Sequence, residues 1–278
     1  MIDSHAHLFR PEFAADRSAV FERALAAGIA GVLNVGYDLA SSEAAVAMGR
    51  DDRRFLATVG VHPHSAAEVA DPAGGMTAAG RALLAALRDL AAVGPVVAIG
   101  EVGLDFYRDL SPRPAQRTAF EAQLELAVTL DLPVVLHIRD AYAETIALLE
   151  EAGVPPRGAV LHSFAGDGDH AAWAIEHGCL LGIGGPLTYR GSRLPDVLRD
   201  ANVTADDVLL ETDAPWLPPV PQRGRRNEPA FLVHTREALA RILDVAPAEL
   251  ADRTTANFAR LFRRLPGALD AASERPVV

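Results

Sequence analysis

The sequence predicts a (β/α)8 barrel, and three observations predict it. Eight short runs rich in Val, Ile and Leu recur along the 278 residues. They lack strict apolar–polar alternation, as expected of strands buried on both faces. Between them lie longer Ala- and Leu-rich stretches whose apolar residues recur at helical spacing. Strand–helix alternation of this kind indicates a parallel sheet, and eight units suggest closure into a barrel, for which ~250 residues are typical. A doubly wound open sheet is the structural alternative.

The strand-like runs cover 1–7, 31–36, 56–62, 96–105, 134–138, 159–164, 180–185 and 208–213. Stretches 77–92 and 115–129 carry the clearest helical patterns, with shorter ones at 141–152 and 171–177. Stretches 228–243 and 251–265 read as terminal helices. Prolines at 155–156 and 215–221 fit loops within the alternation. Neither a composition break nor an internal repeat divides the chain. The barrel is therefore expected over 1–265, with 266–278 as a frayed C-terminal tail.

Composition removes several chemistries. The 26 basic residues are all Arg, so a lysine Schiff base, a P-loop lysine and a carboxylated-lysine metal bridge are excluded. The net charge of −11 gives no general pull toward nucleic acid or an anionic membrane, so any polyanion affinity must be local. Cys179 stands alone, so no intrachain disulfide forms. The N-terminus, MIDSHAHLFRPEF, has neither a basic n-region nor an apolar h-region. The longest uncharged run, 24–37, is too short to span a bilayer as a helix. These features point to a cytoplasmic location without membrane association.

The chemistry is expected at the strand ends. His5 and His7 form His-x-His, and residues two apart in a strand face the same side, a spacing that suits a metal clamp. Alone that signal is modest. Glu101, His137, His162 and Asp213, however, also fall at or near the C-terminal ends of predicted strands, where a barrel builds its active site. An ionised carboxylate buried without a partner is very costly. Cations among four imidazoles and two carboxylates satisfy all six groups with one device. Six ligands exceed what one tetrahedral ion takes while keeping an open position, so two ions bridged by Glu101 are expected. Such a site is net positive and suits an anionic substrate, phosphate above all.

At this point the sequence resembles the TatD-like metal-dependent hydrolases, the TatD DNases. The matching segments are DSHAHL at 3–8, GVHPH at 60–64, AIGEVGLDFY at 98–107, LPVVLHIRDA at 132–141, LHSFAG at 161–166, ETDAPWLPP at 211–219 and RGRRNEP at 223–229. Gln116, Phe120, Asn257 and Phe262 also fit. The resemblance implies a TIM-like barrel holding two divalent ions (Zn²⁺, Mn²⁺ or Mg²⁺) on His5, His7, Glu101, His137, His162 and Asp213. It implies metal-dependent hydrolysis with DNA as substrate, often from a 3′ end, and Asp213 and Glu101 as the catalytic pair. It departs at Arg190, where members more often show Lys, and in the longer loop at 71–76.

Several residues carry two readings. His62 is a substrate contact or a turn residue, and His64 is read as structural. Arg139 points into the mouth to meet a phosphate, or pairs with Asp140 or Glu144. Glu211 orients a ligand histidine, or bridges to a barrel arginine. Asp105 and Tyr107 line the cleft or serve capping and packing. Arg223, Arg225 and Arg226 track a nucleic-acid backbone or form a solvated loop. His170, His177, His234 and Cys179 carry no assigned chemistry. Two other functions fit the same residues: a two-metal hydrolase of a small ester, amide or aminoacyl ester, and a catalytically silent binding protein. No obligate protein partner is inferable.

Overall fold

A computed structural model of the chain describes residues 1–263. Eight parallel strands form one sheet in sequence order. They are β1 (Ile2–Ala6), β2 (Gly31–Val35), β3 (Phe55–Val59), β4 (Val96–Asp105), β5 (Val134–Arg139), β6 (Ala159–Leu161), β7 (Leu180–Ile183) and β8 (Val208–Leu210). The helices that follow them are α1 (Arg17–Ala26), α2 (Leu39–Asp51), α3 (Ala78–Ala91), α4 (Arg113–Leu130), α5 (Tyr142–Ala152), α6 (Gly168–Glu176), α7 (Leu194–Asp200), α8 (Leu232–Leu243) and α9 (Pro247–Leu261). This is the expected TIM-like barrel, and the open doubly wound sheet is excluded by its strand order.

The expected helices are present, but α1, α2 and α7 carried no clear periodic signal. Helix α2, LASSEAAVAMGRD, is short of large apolar residues and is held at its start by a reciprocal Asp38–Ser41 cap. Several strands stop earlier than their apolar runs, because polar ligand-type residues leave the ladder at the mouth. His7, His62, His162 and Asp213 all lie just beyond strand ends. The tail expected at 266–278 lies outside the described residues.

Two apolar layers hold the barrel. One joins the strands to the helix ring. The other fills the barrel interior, where Ile2, Leu33, Leu56, Val97, Val160 and Leu209 meet Phe258, Leu261 and Phe262. The last three come from α9 and the residue after it, which close the N-terminal end of the barrel. The opposite end is left open for a site. At that end β1 meets the segment after β8: His7 N–H donates to the Ala214 carbonyl and Asp213 N–H to the His5 carbonyl, both at 2.8 Å.

Asp3 reinforces this seam from inside. Its carboxyl accepts from the Thr212 N–H at 2.9 Å, the Thr212 hydroxyl at 2.6 Å and the His5 N–H at 3.3 Å. It is fully buried, and burial pushes its pKa up to about 7 despite those bonds. A folded-state pKa above the unfolded value means that the native protein holds the extra proton. Stability conferred at low pH is therefore lost as pH rises from about 4 to 7. In chelator-treated protein, wild type is expected to lose of order 4 kcal/mol relative to Asp3→Asn across that window, measured by urea unfolding. A pH-independent difference contradicts this.

Among the described residues, no helix is long and apolar enough to cross a membrane.

Candidate metal centre and active site

A cavity of about 680 Å³ opens at the C-terminal end of the strands. His7, Glu101, His137, His162 and Asp213 line it, together with His62, His64, Asp105 and Arg139. His5 lies beneath, fully buried.

Glu101 is the centre of the cluster. One carboxylate oxygen, Oε2, lies 3.5 Å from His5 Nε2. The other, Oε1, lies 2.9 Å from His137 Nδ1, 3.6 Å from His62 Nε2 and 3.8 Å from His162 Nε2. The strand bulges between Ile99 and Val102, where the pairing of β4 with β5 shifts register; bulges re-aim side chains in this way. Asp213 stands on the other side, its Oδ1 3.5 Å from His7 Nε2, and His5 Nε2 and His7 Nε2 are 3.2 Å apart.

Three imidazoles each set one nitrogen outward against an acceptor, the arrangement that selects a ring's tautomer. His7 Nδ1–H donates to the Val35 carbonyl at 2.7 Å. His137 Nε2–H faces Asp105 Oδ2 at 3.1 Å. His162 Nδ1 is 2.9 Å from Glu211 Oε1, a close contact although not aligned as a hydrogen bond. In the neutral rings the inward nitrogens then carry lone pairs, which face carboxylate oxygens and one another. Donor atoms of His5, His7 and Asp213 converge within 4.8 Å.

The electrostatics record the same crowding. Burial alone would raise Glu101, but His62, His137 and His5 hold its carboxyl well below the usual range. Asp213 is likewise lowered against its burial by His7, His162 and His5. Burial opposes protonation of His137, yet Asp105 and Glu101 raise its pKa. In His162 the adjacent Glu211 overcomes burial and pushes the pKa up to about 10. For His5 burial dominates, and its pKa falls.

Glu211 touches His162 and accepts the Ser163 N–H at 2.7 Å, and no arginine among the described residues pairs with it. Its other oxygen, Oε2, is buried without a hydrogen bond. Gly182 makes room for it, since a Cβ there would lie 2.3 Å from Glu211 Oε2 and 3.1 Å from the His162 Cα. Gly182→Ala is expected to displace Glu211, to destabilise by about 1–3 kcal/mol and to lower metal retention after dialysis. Thermal melts and elemental analysis check both.

His62 Nδ1 accepts the His64 N–H at 3.1 Å, which places its proton on Nε2 at the cavity; burial holds the ring neutral. Arg139 makes no ion pair with Asp140 or Glu144 among the described residues, and instead lies 4.7 Å from the Tyr107 ring centroid. Two further residues stand at the cavity, Asp105, read as cleft-lining or capping, and His64. Asp105 caps the turn by accepting the N–H of Tyr107 and Arg108, and also reaches His64 at 2.7 Å and His137 at 3.1 Å. His64, read as structural, lines the cavity through that bond. The spacing of Asp105 and Gln116 was the available signal: Gln116 Oε1 accepts the Asp105 N–H at 2.9 Å. Asn227 pins the catalytic-side loop, donating to the Thr212 and Trp216 carbonyls at 2.7 Å each. The arginine loop is largely structural. Arg226 pairs with Asp16 at 2.8 Å, and Arg223 lies 3.9 Å from the Tyr189 ring centroid.

Comparison with known proteins places this geometry. The profile of the family described as TatD related DNase matches residues 2–263. A 3′-5′ ssDNA/RNA exonuclease TatD from Enterobacter lignolyticus is 40% identical over 268 residues, covering 94% of this chain and 98% of the relative. An uncharacterized metal-dependent hydrolase, YabD, from Bacillus subtilis is 34% identical over 264 residues, covering 95% and 99%. Among solved structures, YjjV, a TatD homolog from Escherichia coli, superposes with a TM-score of 0.85 at 30% identity, covering 95% of this chain and 98% of that one.

Proposed function

The chain belongs to the TatD-related DNase family of metal-dependent hydrolases, and on that premise we propose that it is a deoxyribonuclease removing nucleotides from the 3′ ends of single-stranded DNA. The observation that carries this reading is the ring of lone pairs around Glu101. His7 and His137 turn their outward nitrogens to acceptors and His162 sets its own against Glu211, so as neutral rings they meet Glu101 and Asp213 with lone pair against lone pair. That arrangement is repulsive unless positive charge lies between the groups. Protons supply it partly, as the raised His137 and His162 show. Two divalent cations supply it fully, and the mixed imidazole–carboxylate donors fit Zn²⁺ or Mn²⁺ best, with Mg²⁺ also accepted.

His5, His7 and Asp213 would hold one ion, His137 and His162 the other, and Glu101 would bridge them. Ions held there would supply polarisation of the phosphoryl oxygens, a more acidic water and neutralisation of developing charge. Asp213, ionised and at the cavity wall, accepts the proton of the attacking water. Neutral His62 donates its Nε2–H to a phosphate oxygen. Arg139, free of any carboxylate partner among the described residues, meets a neighbouring phosphate. Asp105 and Glu211 hold the rings of His137 and His162 in the tautomers the ions require.

The test is digestion of end-labelled single- and double-stranded DNA with added Mg²⁺, Mn²⁺ or Zn²⁺, beside a panel of small esters and amides. Shortening of single strands from the 3′ end is expected. Turnover of the small panel with none of DNA would overturn the assignment.

A further inference from the structure

Exposed large apolar side chains concentrate at the mouth of the cavity. Of the five among the described residues, Tyr107, Leu110 and Trp216 line it. Tyr107 is 60% exposed and Trp216 is 41% exposed. Each ring is backed by a guanidinium. The Arg10 Cζ lies 4.7 Å from the Trp216 centroid, and the Arg139 Cζ lies 4.7 Å from that of Tyr107. Arg10 is itself fixed, by a two-pronged bond to Glu12 and by donation to the Tyr37 hydroxyl at 3.0 Å. The backbone beneath Trp216 is anchored as well, since its main-chain N–H donates to the Asp213 carbonyl at 2.8 Å. The two rings stand after β8 and β4, strands four places apart in an eight-stranded barrel and so on opposite walls.

An apolar ring left in water costs free energy, and an arginine stacked on one face only holds it in place. Arg108 also approaches Tyr107, at 6.0 Å, and His7 lies edge-on to Trp216 at 5.1 Å, yet both rings keep exposed electron-rich surface at the cavity, the form that stacks nucleobases without reading sequence. The groups that would hold the scissile phosphate lie between the plates.

We propose that Trp216 and Tyr107 are two nucleobase platforms that clamp the bases on either side of the scissile phosphate. This rests on the nucleic-acid reading of the site. It makes unstacked single strands the preferred ligand, because paired bases within a duplex have no free faces to offer. Sequence preference is weak, since every base has a stacking face.

The substrate test uses the metal-loaded protein and 5′-labelled single strands, either intact or with tetrahydrofuran abasic residues at the last two positions. Trp216→Ala and Tyr107→Ala are each expected to raise KM for intact ends about 10-fold or more, with kcat changed less. Trp216→Phe and Tyr107→Phe restore most of the loss. Wild type loses a comparable factor on abasic ends, and the Ala variants lose little more there. Equal losses on intact and abasic ends would mean that the rings are only structural, and would overturn the platforms.

A binding test needs no turnover. The chain has two tryptophans, Trp173 and Trp216. In a Trp173→Phe background, Trp216 fluorescence is expected to be quenched by a phosphorothioate-ended octanucleotide and not by its abasic counterpart. Quenching without cleavage by wild type refutes the nuclease reading and supports the platforms. Cleavage with no discrimination between intact and abasic ends refutes the platforms and leaves the nuclease reading standing.

Discussion

Asp213→Asn is expected to lower kcat on single-stranded DNA by about 10²–10⁴-fold, the range of a lost general base, while KM changes little. Asp213 has a backbone φ of 57°, a left-handed conformation that Asp and Asn tolerate better than other non-glycine residues. Asparagine therefore keeps the loop, its N–H bond to the His5 carbonyl and an oxygen toward His7, and removes the charge and the basicity; cleavage is read at saturating metal because Asp213 is also placed on one ion. Alanine would confound these effects with strain. Burial would normally protonate this carboxyl, but His7, His162 and His5 keep it ionised, so it is poised to take a proton. Single-turnover cleavage separates the chemical step from release. A variant cleaving within threefold of wild type would show that the proton goes elsewhere.

The second large effect concerns Glu101. Glu101→Gln is expected to lose about half or more of the bound metal and about 10³-fold or more in kcat/KM, because the charge stabilisation that the ions supply is lost with them. Its carboxylate faces four imidazoles, from His5, His62, His137 and His162, within 3.8 Å. An amide offers one oxygen and an uncharged nitrogen in place of two anionic acceptors, so it cannot neutralise two ions. Elemental analysis after chelation and reloading gives the stoichiometry, and far-UV circular dichroism reports the fold. Full metal content in Glu101→Gln would remove the bridging role. Glu101→Asp, with the charge kept but set back by one methylene, is expected to retain more metal than Glu101→Gln and less activity than wild type.

These expectations divide according to what the chain reveals before it folds. The convergence of His5, His7, Glu101, His137, His162 and Asp213 at one end was legible because polar residues ending apolar runs conflict with core burial. In a parallel barrel such conflicts converge on one face. Strand order followed from the strand–helix alternation. Helices α1, α2 and α7 were less visible, since Ala- and Ser-rich or very short helices carry little periodicity and take their stability from docking.

Other features existed only in three dimensions. Asp105 looked as much like a turn cap as a cleft residue, and the folded chain makes it both, with different oxygens. Arg139 sits beside acidic neighbours in sequence but leans on Tyr107. Arg226, within a run that reads as a nucleic-acid track, closes on Asp16. Sequence fixes which side chains sit at strand ends, because the strand period and barrel closure are local and repetitive rules. It leaves open which nitrogen of a histidine faces inward and which arginine keeps its charge free. Those depend on hydrogen-bond partners brought in from strands far apart in the chain, and only packing sets their distances.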